Sequence, residues 1–163
     1  MHSEPTGIFW SYMTKSQWIS VLKLATMWTF KEIRNLAIQK LTMETMGAIE
    51  LVLLAKQFNV PQWLRSGYQT LAARSEMLSI EEAEKLSYLT AILLFQVREQ
   101  VRADTNWAGA RRASYRLPEI YIAETLTVIE RVFERELRQM EREYNQYLVP
   151  CQVVSGVPYA LAM

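Results

Sequence analysis

The amino-acid sequence predicts an all-α fold, an array of about seven helices in antiparallel hairpins with a long C-terminal helix. Three observations carry that reading. Apolar residues recur at three-and-four spacing along most of the chain, and only five Gly and five Pro interrupt its 163 residues. Good helix formers fill the segments between those breaks. No stretch alternates apolar and polar residues as a half-buried strand would.

The opening segment Trp18–Leu41 encodes two short amphipathic helices. Trp18, Val21, Leu22, Ala25 and Trp28 make one buried stripe, and Ile33, Leu36, Ala37 and Leu41 make the next. Thr29 followed by Glu32 has the spacing of a capping box, which starts the second helix almost where the first stops. A third helix is expected from about Thr45 to Phe58, with Met46, Ile49, Val52 and Leu53 facing inward and Asn59 as the left-handed terminator. Pro61 then sits at a first turn, where its missing N–H costs nothing, and Trp63, Leu64, Tyr68 and Leu71 form the buried face. Ser79 with Glu82 again has capping-box spacing and opens a fifth helix with Ala83 and Leu86 inward. A sixth helix follows to about Arg102. Gly47 and Gly67 fall within predicted helices, so both are read as sites of close helix contact.

From residue 103 to 117 the periodicity lapses, and the run is read as a basic connecting loop. Pro118 restarts helix, and Ile122, Leu126, Ile129, Phe133, Leu137, Met140 and Tyr144 form one stripe to residue 148. At 1.5 Å per residue that helix would reach about 40 Å. Residues 1–17 form a leading segment, residues 18–148 one helical domain and residues 149–163 a flexible tail. The leading segment brings Ile8, Phe9, Trp10 and Tyr12, apolar groups that suit a covered surface.

Composition limits the classes of function. Half the residues are hydrophobic, enough for one core burying roughly 70% of the unfolded surface. The formal charge is +1, which gives no global reason to expect nucleic acid. Cys151 is the only cysteine, so no intramolecular disulfide is possible, and a reducing intracellular compartment, cytoplasm or nucleus, is expected. Apolar runs fall far short of the ~20 residues of a membrane span, and the N-terminus lacks the pattern of a signal peptide.

Catalytic chemistry finds little to work with. The single histidine, His2, adjoins the first residue, and His2 with Cys151 supplies no paired zinc spacing. The glycines are isolated, which excludes a phosphate loop, and the carboxylates Glu81, Glu82 and Glu84 suit a helix N-terminus. No enzyme activity, metal or cofactor is expected.

The strongest local charge feature runs from Arg98 through Arg102, Arg111 and Arg112 to Arg116, with Trp107 and Tyr115 interleaved. Arginine beside Trp and Tyr suits a protein interface, and Arg102, Trp107, Arg111, Arg112, Tyr115 and Arg116 are the candidate partner-binding residues. The same residues could pair phosphates and stack bases, or form a solvated loop whose Trp107 returns to the core.

The hairpin, followed by Phe58-Asn59-Val60-Pro61-Gln62-Trp63-Leu64 and then by Leu78-Ser79-Ile80-Glu81-Glu82-Ala83-Glu84-Lys85-Leu86, resembles the helical C-terminal region of fungal BTB/POZ-domain proteins, mostly basidiomycete. Trp18 to about Arg102 matches that family's order of a tryptophan-led hairpin, a valine-proline-x-tryptophan-leucine element and a Ser-led acidic helix. The hairpin is similar to the last helical pair of a BTB fold and residues 42–102 to the BACK-type extension, with the mixed BTB core expected to be lacking before Trp18. The resemblance implies an adaptor that binds proteins, with a cullin-type ligase or a BTB protein as partner and a homodimer as one possible state. A nucleic-acid-binding or transcription-associated domain using the basic loop is the alternative.

Overall fold

A computed structural model describes residues 13–109 and 118–147, with side-chain surroundings for 13–103 and 123–147. Eight helices and no strands occur among the described residues: α1 Lys15–Met27, α2 Lys31–Thr42, α3 Ala48–Phe58, α4 Pro61–Ala73, α5 Ile80–Leu86, α6 Tyr88–Gly109, α7 Pro118–Val132 and α8 Glu134–Asn145. The residues before 13 and after 147, including Ile8, Phe9, Trp10, Tyr12 and the expected tail, lie outside the described residues.

The centre is the pair α3 and α4. α4 also packs against α6, α7 and α8, so the pair organises most of the array. Gly67 permits this approach, because a Cβ there would stand 2.5 Å from Val52 Cγ2 and 3.3 Å from the Ala48 carbonyl oxygen. Pro61 takes the first turn of α4, and Asn59 adopts a left-handed φ of 52° at the end of α3, both as the sequence predicts. Trp63, Leu64, Tyr68 and Leu71 are buried in one continuous cluster with Trp18, Leu22, Ala37, Leu41 and Val52. Trp63 Nε1 donates to Thr42 Oγ1 at 2.8 Å, which ties α2 to α4.

Several local expectations are corrected. α1 begins at Lys15, three residues before Trp18, because Thr14 and Gln17 form the capping box there. Thr29 caps nothing. Its φ is 57°, its hydroxyl donates to the Trp28 carbonyl, and α2 starts after Phe30 without a side-chain cap. Phe30 N–H donates back to the Ala25 carbonyl at 2.9 Å and Thr29 N–H to the Thr26 carbonyl at 3.3 Å. That pattern closes the end of α1 with a left-handed residue, a place usually taken by Gly. The turn carries Trp28 and Ile33 beyond the core, so Trp28 is 56% exposed and Ile33 40%. Leu53 also points outward, and Leu54 and Ala55 take the inward places. α3 begins only at Ala48, which makes Gly47 its N-cap, and a Cβ at Gly47 would meet nothing.

The expected long helix is two helices. The chain breaks at Phe133, with φ −102° and ψ 17°, although neither Gly nor Pro is nearby. Tertiary contacts account for the break. The Phe133 ring stacks on Tyr68 at 4.1 Å between centroids, and Glu136 accepts from Tyr68 Oη at 2.8 Å while pairing with Lys56 at 2.9 Å. Burial, and then the Glu136 carboxylate, push the Tyr68 hydroxyl above its ordinary value, so it remains a donor. The stripe itself survives the break: Ile129, Phe133, Leu137 and Met140 are buried, while Leu126 and Tyr144 are half-buried.

The least expected core residue is Arg34, which is 0% exposed. Its Nη2 donates to the Phe58 carbonyl at 2.6 Å, at the C-terminus of α3 where a cation is favoured. The guanidinium lies 4.1 Å from the Tyr147 ring centroid and 5.1 Å from that of Tyr144, so it fastens the end of α8.

Gly67→Ala is expected to lower the unfolding free energy by about 1–3 kcal/mol in urea titration, despite the better helix propensity of Ala. Adding Val52→Ala should make the double variant less destabilised than the sum of the two single changes, since it vacates the space the new methyl needs. Thr29→Gly should act in the opposite sense. Relief of the left-handed strain is expected to raise stability by up to about 1 kcal/mol in the same titration.

Candidate functional site

The basic segment is not a loop throughout, because α6 continues through Trp107 to Gly109. Arg98 is buried and structural. Its Nη1 donates to the Glu76 carbonyl at 2.7 Å and its Nη2 to the Ser75 carbonyl at 3.1 Å. Arg102 is exposed and pairs with Glu99 at 3.1 Å. Trp107 is placed on α6, but its side chain and residues Arg111, Arg112, Tyr115 and Arg116 lie outside the described residues, as do His2 and Cys151.

A different surface stands out. Tyr88, Ile92 and Phe95 occupy one face of α6 at helical spacing, and Met77 and Leu78 face them from the α4–α5 connection. Leu71 and Leu94 form the floor of the groove between them, which has a volume of about 270 Å3. Ile92 is 64% exposed and Met77 68%. Ile80 and Tyr88 are also exposed, so the groove lies within a larger apolar surface.

Two arginines build its outer wall. Arg98 holds the carbonyls of Ser75 and Glu76, as above, while Arg74 Nη1 donates to Glu82 Oε1 at 2.9 Å and Arg74 Nη2 reaches Glu82 Oε2 and, at 3.2 Å, the Met77 carbonyl. Glu82 in turn closes the capping box predicted for α5, accepting from Ser79 N–H at 2.9 Å. The connection is therefore pinned at both ends, and Met77 and Leu78 are fixed in place. Arg74 and the Ser79 amide hold the Glu82 carboxyl down at about 2. Its own amide holds Glu76, and the Ser79 hydroxyl holds Glu81, below the usual carboxylate range.

Charge around the groove is largely balanced: Arg98 is the charged residue of its lining, Glu82 is paired with Arg74 and Glu99 with Arg102, and Glu76, Glu81 and Glu84 share the neighbouring stretch of chain with Lys85. One sign of this surface is legible in the chain, although periodicity alone passes over it. The run from Tyr88 to Val97 is apolar nearly all round the helix, more than one buried stripe requires.

A larger hollow of about 580 Å3 lies beside Lys56, Ser87, Leu93 and the start of α8. Its walls are charged and internally paired, with Lys56 on Glu136 and Thr90 Oγ1 and with Arg131 donating to Gln100 at 2.8 Å. No group of His, Cys, Asp and Glu suited to a metal occurs among the described residues, and no described helix is long and apolar enough to cross a membrane. No protein-family model, curated protein or solved structure matches the chain.

The Arg74–Glu82 pair has a pH signature. The folded carboxyl titrates at about 2 against 4.5 for an unperturbed Glu, so its stabilisation is complete above about 4.5 and lost as pH falls towards 2. The melting temperature of Glu82→Gln is expected to lie below that of the unaltered chain at neutral pH, with the gap closing through that acidic window. A gap that persists unchanged into acid would mean that the ion pair does not hold the wall.

Proposed function

We propose that this chain is a protein–protein interaction module, and that the α5–α6 groove docks a partner segment presenting apolar side chains at helical spacing. The groove carries the reading. A surface facing water gains nothing from Met77, Ile80, Tyr88 and Ile92 in one exposed cluster, whereas a concave apolar trough is what the apolar face of an amphipathic helix requires. Burying two or three aliphatic or aromatic anchors supplies affinity. An adaptor role of the kind implied by the likeness to fungal BTB/POZ proteins is compatible with this chemistry. No substrate-converting step is assigned.

Selection from a display library of helical peptides tests the proposal. Enriched peptides should carry apolar residues at three-and-four spacing, and Ile92→Glu should weaken their binding by about tenfold or more. Ile92 is largely exposed, so that variant should melt at nearly the temperature of the unaltered chain. Absence of enrichment, or binding indifferent to Ile92→Glu, would remove the groove as a docking site.

A further inference from the structure

A second exposed apolar surface lies at the corner between α1 and α2, where Met27, Trp28, Phe30 and Ile33 are all exposed. The Trp28 and Phe30 rings meet edge to face, with centroids 6.0 Å apart and planes at 68°. Thr29 lies between them with its left-handed φ, and the turn holds both rings out from the fold. Residues Thr29 to Ile33 line one hollow of about 390 Å3 at the start of α2. Lys31 and Glu32 in that lining are of opposite sign, so the hollow favours neither a cationic nor an anionic occupant.

The chain itself brings a fitting segment to this place. Tyr147 is the last described residue, and its ring centroid lies 4.1 Å from the Arg34 guanidinium. Arg34 directly follows Ile33, and its N–H donates to the Phe30 carbonyl at 2.9 Å. One arginine side chain therefore separates the hollow from the point where residues 148–163 begin. Those residues, LVPCQVVSGVPYALAM, lie outside the described residues and contain no charged side chain. At up to about 3.3 Å per residue, a few of them suffice to reach Phe30 and Trp28. Arg34 is fully buried, yet its Nε and Nη1 find no acceptor among the described residues. Main-chain carbonyls after Tyr147 are the next groups along the chain that can supply one. The leading residues 1–12 are a poorer candidate, because they join the fold at the opposite end of α1, about 20 Å from the corner.

We infer that residues 148–163 form an intramolecular strap that returns over the α1–α2 corner and covers Trp28, Phe30 and Ile33. The inference is independent of the groove between α5 and α6. A segment tethered beside its site meets it at an effective concentration in the millimolar range, so contacts too few to hold a free partner hold the strap. Each aromatic ring can bury on the order of 150–250 Å2 beneath it. Main-chain carbonyls of the strap complete the donors of Arg34, which ties the end of α8 to α2 more firmly than the rings of Tyr144 and Tyr147 alone. The corner is then closed to other molecules by its own chain.

Cys151 is the only cysteine and lies shortly after Tyr147, so its thiol reports on the strap. In the folded full chain it should react with dithionitrobenzoate about tenfold or more slowly than in the urea-unfolded protein. Trp28→Glu and Phe30→Glu should each remove most of that protection, while Ile92→Glu leaves it intact. Trp28 and Phe30 are largely exposed, and unchanged helical circular dichroism would show that the variants fold. Hydroxyl-radical labelling read by mass spectrometry reports the other side of the contact. Met27, Trp28 and Phe30 should be protected in the full chain and labelled severalfold faster in a chain that stops after Tyr147, with no such change when residues 1–12 are removed. A Cys151 that reacts equally fast in folded and unfolded protein would overturn the inference. So would protection that is indifferent to the corner variants or lost in Ile92→Glu, and so would corner labelling that depends on residues 1–12 or is unchanged without residues 148–163.

Discussion

The close approach of α3 and α4 at Gly67 is the constraint on which the rest of the array depends. With no side chain there, Val52 comes nearer to α4 than a Cβ would permit, and the Ala48 carbonyl comes into tight range. α4 can then present its remaining faces to the other helices. Trp63 reaches Thr42 on α2, Tyr68 stacks on Phe133 ahead of α8, and Arg65 pairs with Glu130 on α7 and Glu141 on α8. A wider α3–α4 spacing would disturb all of these together, because they radiate from one short helix. Dense packing transmits such a change, since side chains in a core have little free volume in which to absorb it.

Four arginines act inside this molecule. Arg34 closes the C-terminus of α3 and grips Tyr144 and Tyr147, Arg65 joins α4 to α7 and α8, and Arg74 and Arg98 pin the wall of the groove. A planar guanidinium suits these tasks, because it can donate to a carbonyl along its edge and pack an aromatic ring on its face. The consequence reaches the surface. With Arg74 and Arg98 committed to the wall, Met77 is held at the groove edge from two sides.

What the sequence made legible was local, and what it concealed was tertiary. Pro61, Asn59 and the Ser79–Glu82 box are determined by the few residues around them, and all three stand where their chemistry places them. Thr29 also carried a capping-box spacing, but Thr14 with Gln17 took that role at α1, and Thr29 was drawn into a left-handed turn instead. The break at Phe133 has no local signature at all. The apolar stripe runs through it in phase, and only the stack on Tyr68 and the hold on Glu136 reveal why the helix divides. Arg34 was invisible for a related reason. A charged residue at an inward position is ordinarily read as surface, and its burial becomes intelligible only when a helix terminus and two tyrosines converge on it. At the start of the basic run Arg98 turned inward and α6 ran on past the expected loop boundary, because carbonyls at the α4–α5 connection and the helix itself claimed those residues.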